Sequence, residues 1–269
     1  MTRSNGRKSI FITGAASGIG AATAKHFANK LWFTGLFDID EAGLAKTAAA
    51  IGPENCVTGK LDVRSREDWA AAMDAFSAAT GGKMHVLFNN AGVGRHGWFE
   101  DVPPEDSDWI VDVNVKGVIN GVYAALPLLK ATENARIVNV ASTAGFVGSP
   151  QLAVYSATKF AVRGLTEALD AEFDGLGVKV TSLAPWFVET PILDMGTDDT
   201  TNHRMRDQIQ DQGAEIYPVE MAAEQAWAAA HGKKVHYGVG KLSDRTRFMQ
   251  RFLPGLVRRQ VVKGLPERG

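Results

Sequence analysis

Short apolar runs, set between longer stretches of helical periodicity, constrain this chain more than any other feature. Runs at 10–13, 33–37, 56–61, 86–88, 137–140, 178–183 and 235–239 read as strands, several too apolar to have a wet face. Between them, 19–30, 41–51, 65–80, 104–132, 152–175 and 218–231 read as helices, most starting near Ser, Asp or Pro as a capped first turn does. Strands alternating with helices make an α/β architecture: a parallel sheet covered on both faces. At 269 residues and 45% hydrophobic content the chain suits one large domain. No internal repeat or shift in composition suggests a second.

Charge and cysteine exclude several classes. With 29 basic and 30 acidic residues the net charge is −1, so no global field draws the chain to nucleic acid. A single cysteine, Cys56, excludes an intramolecular disulfide framework and any Cys-cluster metal site, and no metal is expected. No apolar run approaches the roughly 18 residues of a membrane span, and residues 1–8 lack a cleavage pattern, so a cytoplasmic protein is expected.

The first strand runs directly into Thr13-Gly14-Ala15-Ala16-Ser17-Gly18-Ile19-Gly20 and then a helix. Glycines at such a turn let the backbone approach a pyrophosphate, while the free N–H groups of the helix start supply positive potential. A glycine-rich turn can also be only a turn. The second strand ends in Asp38, near the expected distance for an acid that holds an adenosine ribose. Its carboxylate would accept from both ribose hydroxyls and repel a 2′-phosphate, which predicts NAD over NADP. The alternative is a helix cap, because Asp38 and Asp40 both precede the helix at Glu41.

Tyr155 and Lys159 are four apart on a helix and so share a face. Ser142 lies just after the strand 137–140, Asn89-Asn90-Ala91-Gly92 ends the strand before, and Asn114 interrupts a helix. Each has an ordinary structural reading, as an exposed pair, a turn cap or a loop anchor. As an ordered set they suit acid–base catalysis of hydride transfer at a carbonyl or secondary alcohol. Two unit charges ~4 Å apart at an effective dielectric of ~20 interact by ~4 kcal/mol, so Lys159, aided by the positive nicotinamide of an oxidised cofactor, is expected to lower the Tyr155 pKa. Ser142 would hold the substrate oxygen against the tyrosine hydroxyl, and Asn114 would steer a water beside Lys159.

Together these motifs resemble the classical short-chain dehydrogenase/reductase family, from about residue 10 to about 239. The resemblance implies a Rossmann-like, doubly wound, seven-stranded sheet. It assigns Thr13, Gly14, Ser17, Gly18, Ile19 and Gly20 to the cofactor loop, Asp38 to the ribose and Asp62 with Val63 to the adenine. Asn89, Ala91 and Gly92 fall in the family's Asn-Asn-Ala-Gly element, and Asn114, Ser142, Tyr155 and Lys159 on its catalytic tetrad. Pro185, Val188 and Thr190 belong to the nicotinamide segment, and Tyr155 and Lys159 also touch the cofactor. Where the family usually has Gly after that proline, Trp186 stands here and is expected in the pocket. The implied cofactor is NAD(H), and the implied assembly a homotetramer or homodimer.

The organisation expected is a catalytic, dinucleotide-binding domain at 1–240, with a substrate lid at about 186–217, and a basic amphipathic tail at 241–269. Val93, Phe146, Leu152, Trp186 and Leu193 are the expected substrate pocket, joined by Trp98, Val147, Phe187, Ile192 and Met195. They favour a hydrophobic or aromatic alcohol or ketone over a sugar, although they could also only pack the lid onto the sheet. Arg95 and His96 read as a solvated loop, and Asp198, Asp199, His203 and Arg204 as facing water. The tail mixes Phe248, Phe252, Leu253, Leu256, Val257, Val261 and Val262 with arginines and lysines. Closure over a neighbouring subunit's pocket is preferred for it over contact with an acidic membrane. A non-catalytic nucleotide-binding protein, or a reductase acting on a polar carbonyl, remain the rival functions.

Overall fold

In the computed structural model, which describes residues 3–194, 205–211 and 213–265, seven strands form one wholly parallel sheet. They are β1 (Ser9–Thr13), β2 (Phe33–Asp38), β3 (Cys56–Lys60), β4 (Val86–Asn89), β5 (Arg136–Val140), β6 (Lys179–Pro185) and β7 (His236–Val239). Their spatial order is β3-β2-β1-β4-β5-β6-β7. The chain leaves β1 in one direction as far as β3 and then returns to build the other half. That reversal between β1 and β4 opens a crevice at the carboxyl ends of the strands, where ligands of such sheets bind.

Ten helices complete the chain among the described residues: α1 (Gly18–Asn29), α2 (Glu41–Ile51), α3 (Arg66–Thr80), α4 (Pro104–Val111), α5 (Gly117–Lys130), α6 (Ala153–Glu172), α7 (Met205–Asp211), α8 (Val219–His231), α9 (Lys241–Phe252) and α10 (Pro254–Lys263). Local chemistry sets several starts. Asp40 accepts from the Gly43 amide at 3.0 Å to begin α2, and the Ser65 hydroxyl accepts from Asp68 at 3.0 Å to begin α3. The helix expected over 104–132 is instead α4, a π turn at Asp112–Lys116 and α5. Asn114 sits in that widened turn, the usual setting for a functional irregularity.

Strand periodicity divides the core between the two faces. Ile10 and Ile12 join Phe27 of α1, Leu44 of α2 and the alanines of α8. Phe11 points the other way, into Trp69 and Phe76 of α3 and Leu129 of α5. There Phe11 stacks on Phe37, ring centroids 4.2 Å apart. Among the described residues no helix is long and apolar enough to cross a membrane.

The tail is two helices broken at Pro254. The Ser243 hydroxyl of α9 donates to the Ala184 carbonyl of β6 at 2.8 Å.

Candidate active site

One cavity of about 810 Å³ opens along the carboxyl edge of the sheet. That is the size of a site for a large ligand. At one end the turn after β1 supplies Gly14, Ser17, Gly18 and Ile19 to its wall. Gly14 has φ +67°, and a Cβ there would stand 2.8 Å from Asn90 and 2.9 Å from Ala91. The turn therefore admits no side chain, and the space before it stays free for a ligand. Ser17 precedes α1 without a side-chain cap, so the amides at the helix start remain available to an anion.

Asp38 lines the same end. It accepts from the amides of Ala16 at 3.0 Å and Asp40 at 3.1 Å, which fix its carboxylate at the cavity. The cap of α2 is Asp40, so the helix-cap alternative for Asp38 falls away. Asp62 and Val63 lie nearby. Arg64, a basic neighbour that the sequence reading did not single out, is held by Asp62 at 2.6 Å, and its hydrogen bonds keep the Asp62 carboxyl below its usual range. The glycine cradle, the open helix start and the fixed acid together fit a dinucleotide.

At the centre stand Ser142, Tyr155 and Lys159. Lys159 is buried, its Nζ donates to the Val140 carbonyl at 2.9 Å and lies 5.4 Å from the centre of the Tyr155 ring. Tyr155 is hydrogen-bonded to Ser142. Without a bound ligand, burial pushes the tyrosine up to about 12, opposed only by the Ser142 hydrogen bond. The lowered Tyr155 pKa expected from the sequence concerns the site with the positive nicotinamide bound beside Lys159. Burial also pushes Lys159 down to about 8, which leaves it a cation at neutral pH.

Asn114 does not line the cavity. Its Oδ1 accepts from the Val93 amide at 2.8 Å, and its Nδ2 donates to the Val93 carbonyl at 2.8 Å and Thr158 at 3.2 Å. The side chain expected to steer a water is taken up in bracing the loop after β4 against α6. Asn89, Gly20 and Thr13 also stand behind the wall. Asn89 donates to Asn139 at 3.0 Å, Gly20 packs on the Gly14 carbonyl, and the Thr13 hydroxyl accepts from the amides of Asn90 and Ala91. The wall position belongs to Asn90, whose Nδ2 donates to Thr13 and Gly14 carbonyls. Ala91, Gly92, Pro185, Val188 and Thr190 do line the cavity.

The other end is apolar. Val93, Leu152, Trp186 and Leu193 form its wall with Val147, Phe187 and Ile192. Phe146 and Trp98 do not line it; Phe146 packs on His236, with Arg163 and Arg247 over its ring. Arg95 and His96 depart from the solvated loop expected of them. The Gly97 amide donates to the Gln151 carbonyl at 2.9 Å, which ties this loop to the one before α6 and turns His96 inward, while Arg95 pairs with Asp106 at 2.8 Å. Gln151, with φ +60°, lines the cavity, and its Oε1 and the Nε1 of Trp186 are buried without hydrogen-bond partners. In the segment after β6, Arg206 of α7 pairs with Glu189 at 2.6 Å and Asp194 at 2.7 Å. Met195, Asp198, Asp199, His203 and Arg204 lie outside the described residues.

The tail supplies the last wall. Thr246, Val257, Gln260, Val261, Gly264 and Leu265 face the cavity of their own chain. The signal was present in the sequence, since 257, 260, 261 and 264 have the spacing of one helix face.

The family model for short chain dehydrogenase matches residues 8–201. The protein SadH of Mycobacterium tuberculosis (strain CDC 1551 / Oshkosh) is 37% identical over 223 residues, 81% of this chain and 80% of its own length. A 3-alpha-(or 20-beta)-hydroxysteroid dehydrogenase of M. tuberculosis (strain ATCC 25618 / H37Rv) is 36% identical over 193 residues, 71% of this chain and 73% of that protein. The crystal structure of a short chain dehydrogenase/reductase from Burkholderia phymatum, in complex with NAD, is similar with a TM-score of 0.82 and 32% identity, over 93% of this chain and 95% of that one.

Proposed function

Because the chain belongs to the short-chain dehydrogenases, we propose that it is an NAD(H)-dependent oxidoreductase acting on a bulky apolar secondary alcohol or the matching ketone. The observation that carries this reading is the placement of Tyr155, Ser142 and Lys159 between a glycine cradle and an apolar chamber of one cavity. NAD, when bound, would take the hydride from the alcohol carbon or return it to the ketone. Gly14, Ser17, Gly18, Ile19, Asp38, Asp62, Val63, Ala91, Gly92, Pro185, Val188 and Thr190 would hold it. Asp38 would accept from the ribose hydroxyls and repel a 2′-phosphate, and Arg64, the cation that lines this end of the cavity, is paired with Asp62.

Ser142 orients the substrate oxygen toward the Tyr155 oxygen, which as tyrosinate takes the alcohol proton during oxidation and as neutral phenol gives it back during reduction. The positive charge of Lys159, close beneath the ring, favours the tyrosinate that this step needs. Asn114 acts through Val93, keeping the substrate wall in register with α6. The apolar chamber excludes water around the reacting carbon. The kinship with a hydroxysteroid dehydrogenase supports an alicyclic substrate. Exposed Tyr123 on α5 and Phe160 on α6 support the homodimer or homotetramer that pairing of these helices would make. A cytoplasmic location belongs to the same reading.

The test is NADH formation across secondary alcohols from small aliphatic to steroid-like, with NAD and NADP in parallel. The reading requires turnover of bulky apolar alcohols with NAD, lost in Tyr155→Phe while NAD binding persists. Turnover of small polar substrates alone, or activity retained in Tyr155→Phe, would defeat it.

A further inference from the structure

The two helices that follow the sheet each have two differently used faces. On α10, Val257, Gln260, Val261 and Gly264 look into the cavity, whereas Leu256, Arg258, Arg259, Val262 and Lys263 are exposed on the other side. On α9, Ser243 is anchored to β6, whereas Lys241, Arg245, Phe248 and Phe252 recur at helical spacing and are exposed. The rings of Phe248 and Phe252 lie 4.8 Å apart and are 62% and 60% exposed. Leu253 between the helices and Leu256 extend the patch at 50% and 45%. An apolar surface of this kind, rimmed by charge, marks an interaction site.

The charge says with what. Residues 241–265 carry seven basic side chains against one acidic, a net of +6 in a chain of net −1, so the remainder carries −7. A second copy docking face to face about a two-fold axis would set this positive surface against itself. An anionic lipid surface meets both properties at once, with the phenylalanines and leucines entering the headgroup boundary and the arginines remaining among the headgroups. The acidic remainder of the molecule would be repelled from the same surface, which orients it.

We propose that α9 and α10 dock on an anionic bilayer by their outer face while their inner face walls the cavity, so that α10 is the partition between lipid and active site. Pocket closure and membrane contact, alternatives in the sequence, belong to opposite sides of the same helices. The proposal stands apart from the assigned activity, because its readout is binding.

Co-sedimentation of the full chain with phosphatidylcholine vesicles, with and without about 30% phosphatidylserine, at about 0.1 M and about 1 M salt, tests it. Binding to the anionic vesicles only, released by high salt, is the expected result. Loss of Arg258 and Arg259 in Arg258→Glu/Arg259→Glu should weaken it at least ~25-fold, from the usual worth of a cation at such a surface. Phe248→Ser/Phe252→Ser should also weaken it, with the sedimentation-velocity mass of the protein unchanged. Neither pair lines the cavity, so turnover of a soluble alcohol should be unaltered and reports that the variants are folded. No wild-type binding, binding indifferent to lipid charge or salt, or binding retained in the charge-reversed variant each overturns the proposal. So does dissociation of an oligomer in Phe248→Ser/Phe252→Ser, which would give the face to a second copy.

Discussion

Replacing Ser142 by alanine should make Tyr155 harder to ionise and slow alcohol oxidation. Burial already holds the tyrosine up to about 12, and the hydrogen bond from Ser142 is the influence that opposes burial. A hydrogen bond to a charged group contributes ~1.5–3 kcal/mol, so its loss should raise the pKa by a further ~1–2 units. The same energy in the transition state lowers kcat by ~10- to 150-fold. In a pH profile of kcat with saturating NAD, the rising limb should therefore move to higher pH, with NAD affinity unchanged. Ser142 also accepts from the Ala144 amide at 3.1 Å, so alanine leaves that donor without a partner and some stability is lost. Ser142→Thr keeps a hydroxyl for both partners and separates the two effects: it should retain most of the rate. A Ser142→Ala enzyme whose kcat stays within about threefold of wild type, with an unmoved pH profile, would show that Ser142 does not govern the tyrosine.

Lys159→Met should abolish turnover yet stabilise the ligand-free protein at pH 7. The folded-state pKa of Lys159, lowered by burial from 10.5 to about 8, means that the unfolded chain binds more protons between those values. Stability from this group therefore rises with pH from about 8 to about 10.5, and below 8 the destabilisation is complete, on the order of 3 kcal/mol. Methionine removes that burden at the loss of the ~1 kcal/mol hydrogen bond to Val140, so urea unfolding should show a gain of ~1–2 kcal/mol. A less stable variant would contradict the role given to burial. Asp38→Asn should reduce the ratio of kcat/KM for NAD to that for NADP at least ~tenfold, by removing a charge that repels the 2′-phosphate. An unchanged ratio would remove Asp38 from cofactor choice.

The sheet was legible because parallel strands buried on both faces are continuous apolar runs, as at Ile10–Ile12 and Phe33–Phe37. The two tail helices were not, because their outward residues mix basic side chains with Phe248, Phe252, Leu256 and Val262, and Pro254 breaks the pattern. At the site, sequence named the residues of the tyrosine helix but could not say which of two adjacent asparagines faces the ligand. Successive strand-end side chains point to opposite sides, and it is Asn89 that turns to Asn139 and Asn90 that reaches the cavity wall. Asn114 was identified by its misfit to a helix, yet that misfit does not reveal that Val93 and Thr158 use up its amide. The upward push on Tyr155 in the ligand-free site was not legible for a different reason. Spacing gives the nearness of Lys159, whereas the desolvation of both groups depends on walls drawn from the segment after β6 and from the tail. His96 was missed likewise, because the Gly97 to Gln151 bond that folds it inward joins segments 54 residues apart.

The order β3-β2-β1-β4-β5-β6-β7 also fixes how the molecule can be built as it leaves the ribosome. The first strand made is the innermost of the crevice, and every later strand joins an edge that already exists: β2 and β3 on one side, then β4 to β7 in turn on the other. No finished pairing has to be broken to admit a latecomer. The strands that carry the glycine turn and Asp38 thus precede the tyrosine helix in synthesis, and α10, made after all seven strands, is a segment that closes the chamber.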